Sequence, residues 1–466
     1  MMVRVFKHFV SVQVVLLAVV EAGMFIGALY LGYALRFIGG DFAQASELVP
    51  ILSKAVVFAA IMLASMLAFG LYQRDVILDG LANLFRYLAS FVTGLIIMIM
   101  TFYLLPQLFL GRGVLALTAL FSFLGLILTR AAILRLVSDD LLKKRILVLG
   151  TGTRVTKLEQ LLGANILKHK FILIGYLPMG TGVIHSVNPE KVLKDSSSLI
   201  SIATKHNVDE IIVGVRDRRG GIVPMPDLLE CKLEGINVID LSSFFERETG
   251  HVQLDSLNPS WMVYSDGFCR TSSRNTIKRA FDILASAALM LLTFPVMVLT
   301  ALLILLETGR PIFYRQVRVG ECGHLFDVYK FRSMRIDAER GVPQWASKDD
   351  SRITRVGQVI RTLRIDELPQ IFNVLRGHMS FVGPRPERPY FVQQLAKELP
   401  YYASRHSVKP GITGWAQINY PYGASVEDAR EKLQYDLYYA KNHSLFLDMI
   451  ILMQTVQVVL FGKGAR

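Results

Sequence analysis

Apolar residues are unevenly spread along this chain. Four long apolar runs fill the first third, at about residues 10–33, 51–71, 87–105 and 114–137. Each approaches the roughly 20 residues a helix needs to cross a bilayer, so residues 1–143 are expected to form a four-helix transmembrane bundle. Arg4, Lys7, Arg74, Arg86, Arg130, Arg135 and the Lys143-Lys144-Arg145 cluster fall on one side if the N-terminus is inside, against Arg36, Lys54 and Arg112 on the other. Positive charge marks the cytoplasmic side, so the rest of the chain is expected to start there. Glu21 lies within the first run, where an acid is either functional or a bundle-facing structural group, and no partner is visible in the sequence.

The pattern then shortens. In residues 144–250 the stretch RILVLGTGTRVTKLEQLL reads as a buried strand, a glycine turn and a helix, and FILIGYL and DEIIVGV repeat the strand character. The expectation is an α/β, Rossmann-like domain. Gly150 and Gly152 give half of a dinucleotide fingerprint, but position 155 is Val where a third Gly is wanted, which favours a scaffold role over nucleotide binding. Residues 251–276 are polar and turn-rich and are expected to be a linker.

The apolar run at 281–306 is long enough to span. Yet Arg270, Arg274, Lys278 and Arg279 precede it, and Arg310, Arg315, Arg318, Lys330 and Arg332 follow it, so a crossing would break charge asymmetry at one end. Pro295 near its middle removes a backbone donor and favours a bend, so a re-entrant helix that returns to the cytoplasmic face fits both facts; a Pro-kinked fifth span is the alternative. Lys278, Arg279 and Asp282 share about one helical turn at its start, where the cations are expected to meet lipid phosphates and Asp282 to pair with either. The last apolar stretch, 445–460, carries Asp448, Gln454 and Gln457 and reads as an interfacial helix.

Composition narrows the class. With 52% hydrophobic residues and a mean hydropathy of +0.41 over 466 residues, this is a multidomain membrane protein. The net charge of +13 fits topology and anionic lipid, and no aromatic-basic module or zinc spacing supports nucleic-acid binding. Cys231, Cys269 and Cys322 are odd in number and scattered, which argues against a disulfide framework or a metal site.

The candidate chemistry is concentrated in residues 363–387. Asp366 and Glu367 stand side by side ahead of Pro369, and the stretch closes in GPRPE, with Arg385 between Pro384 and Pro386. An Asp can act as a covalent nucleophile, and a neighbouring carboxylate can hold Mg2+ through oxygen ligands. An Arg between two prolines is a pre-oriented fork for phosphate oxygens. Taken singly, an acid pair is a solvated helix start and GPRP a loop staple; the two in one window, beside several arginines, point to phosphoryl transfer. Arg361 and Arg364, just before Asp366, are placed to orient it or to neutralise a pyrophosphate. Lys330 and Arg332 belong to YKFRSMR, a cationic segment that reads equally well as a lipid-facing surface. Two glycines in KPGITGWAQ, from Lys409, make a turn that either approaches an anion or base or is purely structural. The stretch 341–351 reads as an exposed loop.

These segments together, with KRAFDILAS from Lys278 and YRQVRVG from Tyr314, resemble the monotopic polyprenyl-phosphate phosphoglycosyl transferases in their large, multidomain form. The order of the N-terminal segments, with VYSDGF at 263–268, is also similar to members that build exopolysaccharide in exosortase systems. The resemblance implies an α-rich catalytic domain over 277–466 with a re-entrant helix at 281–306, and Lys330 and Arg385 near the donor phosphates. It also implies attack by Asp366 on a UDP-sugar, Mg2+ held with Glu367, and transfer to undecaprenyl phosphate at the cytoplasmic face of a bacterial inner membrane. Glucose or galactose is the implied sugar, and a homodimer is compatible with the large bundle and basic faces. Other readings make different demands. A membrane-attached dehydratase or epimerase would carry a Tyr with Lys four residues on, and no Tyr here has one. A glycosyltransferase releasing UDP would show Asp-x-Asp, unlike the adjacent pairs Asp139-Asp140 and Asp349-Asp350. A non-catalytic scaffold for polysaccharide assembly would need neither Asp366 nor Mg2+.

Overall fold

The structure is a computed structural model. It describes residues 2–5, 8–37, 48–72, 84–137, 143–163, 170–179, 186–193, 197–215, 223–257, 268, 272–335, 352–421, 423 and 425–461. Lys7, Arg74, Asp139-Asp140, Asp349-Asp350, residues 263–267 of VYSDGF and the expected loop at 341–351 lie outside the described residues. The chain forms two compact units: Ser11–Thr249 with Met1–Met2 and Asp255–Ser260, and Trp261–Arg466 with Val3–Val10 and Gly250–Leu254.

The protein is mostly helical, with several candidate membrane helices and a small parallel sheet. In the first unit the four apolar runs become helices Val12–Arg36, Leu48–Ala68, Leu84–Leu104 and Arg112–Val137. The first packs on the second and fourth, and the second on the third. The close crossing of the first and fourth depends on small residues: a Cβ on Gly32 would lie 2.7 Å from Thr118 Oγ1, and one on Gly125 2.7 Å from Met24 Sδ. Glu21 does have partners here. Arg130 Nε lies 2.7 Å from its Oε1, Arg130 Nη1 donates to Leu71 O at 2.9 Å, and the Tyr72 hydroxyl donates to Glu21 Oε2.

The sheet runs Phe171–Leu177, Lys144–Leu149, Glu210–Val213, Asn237–Asp240, all parallel. The strand at 144–149 explains why its sequence is continuously apolar. Ile146 and Val148 enter one core with Phe171, Tyr176 and Phe244, while Leu147 and Leu149 enter the other with Ile202, Val208 and Leu228. The fourth strand was not apparent from sequence, because only Val238 and Ile239 between two polar ends mark it. Val155, at the expected third-glycine position, is fully buried, and its Cγ2 lies 2.6 Å from where a Cβ of Gly214 would be. The core has taken the space that a fingerprint glycine leaves open.

In the second unit the longest helix is Ser272–Thr308, with Pro295 inside it. Both of its ends are bonded to the body of the unit. Near the start, Lys278 Nζ reaches Asp448 Oδ2 (2.6 Å) on helix Leu445–Phe461, Arg279 donates to Val374 O (2.5 Å) and Leu375 O (2.7 Å), and Asp282 Oδ1 accepts from Ser380 Oγ (3.0 Å) and Phe381 N (2.9 Å). Among the described residues Asp282 therefore pairs with neither Lys278 nor Arg279, because the strand beside it supplies both donors. Near the end, Glu307 accepts from Arg355 N (2.8 Å) and Val356 N (3.1 Å), and Met297 and Ile304 enter a core with Phe331 and Ile360. The stretch between is strongly exposed, Leu291 at 82%. An antiparallel hairpin follows, Phe313–Val319 with Leu325–Phe331, then short helices and the parallel pair Ser380–Val382 and Gly411–Thr413. Part of the expected linker is docked on this unit, where Val252 N donates to Gln434 O at 3.1 Å; Gly250, the last residue of the expected α/β domain, also bonds here, its O accepting from Trp415 Nε1 at 2.7 Å.

The Glu21–Arg130 pair yields a stability prediction. Arg130→Met leaves Glu21 buried without its cation and should cost roughly 3–5 kcal/mol, whereas Glu21→Leu with Arg130→Met should recover most of the loss. Thermal unfolding in lipid nanodiscs is the measurement; equal losses in the single and double variants would contradict it.

Candidate active site

The site is built on a short 3-10 helix, Ile365–Gln370. Arg364 caps it in the left-handed region (φ 58°), and Pro369 lies within it. Residues three apart eclipse on such a helix. Ile365 and Leu368 pack together against the core that holds Met297 and Ile304. Asp366 and Glu367, between them in sequence, are 9% and 8% exposed.

Two cations converge on one oxygen of Glu367. Lys330 Nζ, from strand Leu325–Phe331, lies 2.9 Å from Oε1, and Arg385 Nη2, from the GPRP turn, lies 2.7 Å from the same atom. Neither Glu367 Oε2 nor the Asp366 carboxylate has a hydrogen-bond or ion-pair partner among the described residues. The adjacent acids are therefore driven apart electrostatically. Burial pushes the Asp366 carboxyl up, and the neighbouring Glu367 adds to the rise against the pull of Lys330, Arg364 and Arg385. Burial acts upward on Glu367 as well, but Arg385 and Lys330 outweigh it and hold this carboxyl well below its usual range. Burial lowers the Lys330 ammonium, with Glu367 opposing. The result is one anchored carboxylate beside one whose oxygens are unengaged.

The GPRP turn is set by close backbone packing. A Cβ on Gly383 would sit 2.2 Å from Lys409 O, and one on Gly411 2.0 Å from Gly383 N, so only glycine fits at either position. Gly411 N donates to Pro384 O (3.0 Å) and Gly383 N to Thr413 O (2.9 Å). The KPGITGWAQ segment thus braces the turn from behind, with the Gly411 N–H committed to it.

Of the other expected site residues, Arg364 adjoins the acid pair and Pro384 belongs to the turn, while the rest lie elsewhere. Arg332, two residues from Lys330, donates to Gly309 O (2.7 Å) and to the Thr308 hydroxyl, capping the long helix. Arg361, in the last turn of helix Arg355–Thr362, is half-buried and makes no bond to the acid pair among the described residues. Arg364 contributes charge to Asp366. Lys278, Arg279 and Asp282 anchor the helix start as described above, and Pro295 lies inside that helix. Sequence reasoning missed Arg405 and Asp436, which are buried behind Arg385. The available signal was an acid on the otherwise apolar face around Leu433 and Leu437.

Comparison with known proteins bears on the family of the chain. The family described as bacterial sugar transferase matches residues 273–462. A UDP-N-acetylgalactosamine-undecaprenyl-phosphate N-acetylgalactosaminephosphotransferase of Aeromonas hydrophila is 45% identical over 239 residues, 51% of this chain and 56% of the relative. A UDP-glucose:undecaprenyl-phosphate glucose-1-phosphate transferase of Xanthomonas campestris pv. campestris is 35% identical over 335 residues, 69% of this chain and 68% of the relative. One of the same description from Escherichia coli (strain K12) is 41% identical over 217 residues, 46% and 47% of the two chains. The chain thus spans about half the length of the Aeromonas and Escherichia relatives and two thirds of the Xanthomonas one. On this similarity and these motifs, the chain belongs to the bacterial sugar transferases, the polyprenyl-phosphate phosphoglycosyl transferase family.

Proposed function

We propose that this protein transfers a sugar 1-phosphate from a UDP-sugar to undecaprenyl phosphate through a covalent intermediate on Asp366, an early step of exopolysaccharide or related glycan assembly. The observation that carries the proposal is the contrast within the acid pair: Glu367 is held by Lys330 and Arg385, while Asp366 beside it is buried and unengaged among the described residues. An Asp366 oxygen attacks the sugar-linked phosphorus; the bond to the bridging oxygen breaks, and UMP leaves with that electron pair. Lys330 and Arg385 offset charge on the departing phosphates. A phosphate oxygen of undecaprenyl phosphate then attacks the same phosphorus, the bond to Asp366 breaks, and the free carboxylate is restored.

Mg2+ fits these residues as a partly substrate-held ion. Among the described residues no three His, Cys, Asp or Glu side chains gather into a cage. Glu367 Oε2 would supply one oxygen, which matches how Mg2+ shares its coordination with substrate phosphates. When bound, the ion would neutralise pyrophosphate charge.

The same reading makes Ser272–Thr308 a re-entrant helix. Arg279 bonds Val374 O, while Ile304 packs in a core that touches Phe372, only two residues away. Arg279 and Ile304 are 25 residues apart on the helix, about 38 Å if it were straight, so a bend at Pro295 is the economical solution. Both ends would then face the cytoplasm, with the exposed leucines between them in lipid. For the sheet unit, the strand order and two-sided core support a Rossmann-like scaffold.

Two experiments test the proposal. Purified protein with Mg2+, undecaprenyl phosphate and UDP-glucose, UDP-galactose or UDP-N-acetylgalactosamine should release UMP. Asp366→Asn and Glu367→Gln should each lose at least about 100-fold, in the range of removing a charged group that acts at the transition state. Labelled sugar phosphate should stay on the wild-type chain when the lipid is withheld. UDP as product would indicate an ordinary glycosyltransferase, full activity of Asp366→Asn would exclude the covalent step, and no turnover of any donor would leave a scaffold. For topology, cysteines introduced by Asn275→Cys and Arg310→Cys in a chain lacking Cys231, Cys269 and Cys322 should react with an impermeant thiol reagent from the same face. Reaction from opposite faces would establish a crossing helix.

A further inference from the structure

Pro384 and Pro386 carry no N–H, so the turn that presents Arg385 is held mainly through its carbonyl groups. Four consecutive carbonyls each accept a bond. Pro384 O takes Gly411 N (3.0 Å), Arg385 O takes Arg405 Nη2 (2.9 Å), Pro386 O takes Arg318 Nη1 (3.0 Å), and Glu387 O takes Val319 N (2.9 Å). The two middle donors are guanidiniums, and Arg405 is the one that bonds the carbonyl of Arg385 itself.

Arg405 is itself fixed on every nitrogen. It is buried in the 3-10 turn Tyr402–Ser407; Nε (3.0 Å) and Nη2 (2.7 Å) meet Asp436 Oδ2 on helix Val426–Asn442, and Nη1 donates to the Tyr402 hydroxyl (2.9 Å). A buried ion pair is a poor way to gain stability, since apolar residues of equal volume do as well. A ligand role does not suit it. The cavity lined by Arg405, Asp436, Glu387 and Lys432 holds about 40 Å³, far below the roughly 150 Å³ that accepts a benzene-sized ring.

We propose that Arg405 and Asp436 are positioning residues for the transfer reaction: together they hold the Arg385 peptide so that its guanidinium meets Glu367 and the donor phosphates. This rests on the function proposed above. Lysine at 405 keeps the charge but cannot serve Asp436, Tyr402 and the Arg385 carbonyl in one plane. Misplacement by about 1 Å is enough to cost up to about 100-fold in rate.

The test is a double-mutant cycle on the full-length protein in nanodiscs, read as kcat/KM for UMP release from UDP-glucose or UDP-N-acetylgalactosamine, whichever wild type turns over. Arg405→Lys should lose roughly 10- to 100-fold with the KM for undecaprenyl phosphate unchanged. In an Arg385→Lys background, Arg405→Lys should add little further loss, because its effect passes through Arg385. The rate constant of UMP release should fall while the active fraction, titrated by trapped sugar phosphate, stays constant; a structural role would lower the fraction and spare the rate. If Arg405→Lys fails to fold, Asp436→Asn, nearly isosteric, takes its place in the same cycle. Wild-type rates in these variants, or losses that multiply with that of Arg385→Lys, would overturn the positioning role and leave the proposed function intact. A fully active Arg385→Lys would instead remove the phosphate-fork reading of Arg385 on which the positioning role depends.

Discussion

The site depends on a single carboxylate oxygen, Glu367 Oε1, shared by Lys330 and Arg385 in a buried setting. Removing three charged groups from water is costly, and only close mutual pairing offsets it. The constraint is therefore geometric. A hairpin strand, a 3-10 turn and a proline-bound loop must all arrive within hydrogen-bond distance of the same atom. Much of the second unit can be understood as meeting that demand, from the glycine-only contact between Gly383 and Gly411 to the row of bonded carbonyls after Pro384.

Anchoring Glu367 also sets the character of its neighbour. With both cations on Glu367, Asp366 has opposing charges nearby and no direct partner among the described residues. As the proposed nucleophile, Asp366 would have no ion pair among the described residues to break before attacking. The cost is that burial and the adjacent anion both raise its carboxyl pKa.

The parts of this arrangement legible in the sequence are those in which the local chain dictates the outcome. The acid pair before Pro369, the arginine between prolines and the apolar runs each carry their physics within a few residues, and Lys330, Arg385 and Glu367 do meet although 37 and 18 residues separate them. What the sequence left open was which cations reach the site. Arg332 has the same charge as Lys330 and lies two residues on, yet the end of the long helix captures it through Gly309 and Thr308. Glu21 found its partner 109 residues away, and Lys278 bonds Asp448 across 170. Such pairings are settled by tertiary packing, to which local patterning is blind. Strand Asn237–Asp240 was missed for the complementary reason: its two apolar residues are too few to set a period.

The turn that carries the acids also ties the chemistry to the long apolar helix. Ile365 and Leu368, one eclipsed step apart, pack on the core of Met297 and Ile304 that closes the second half of that helix. Asp366 and Glu367 are interleaved with these two, so movement of the helix limb along the bilayer normal would carry the acids with it. Under the proposed function, an acceptor whose phosphate lies at headgroup depth would have to be met by a nucleophile held at a matching depth. An apolar helix bonded to the unit at both ends, by Lys278 and Asp282 at one and Glu307 at the other, supplies such a reference. A flexible tether would keep the protein at the membrane but would leave the height of Asp366 unspecified.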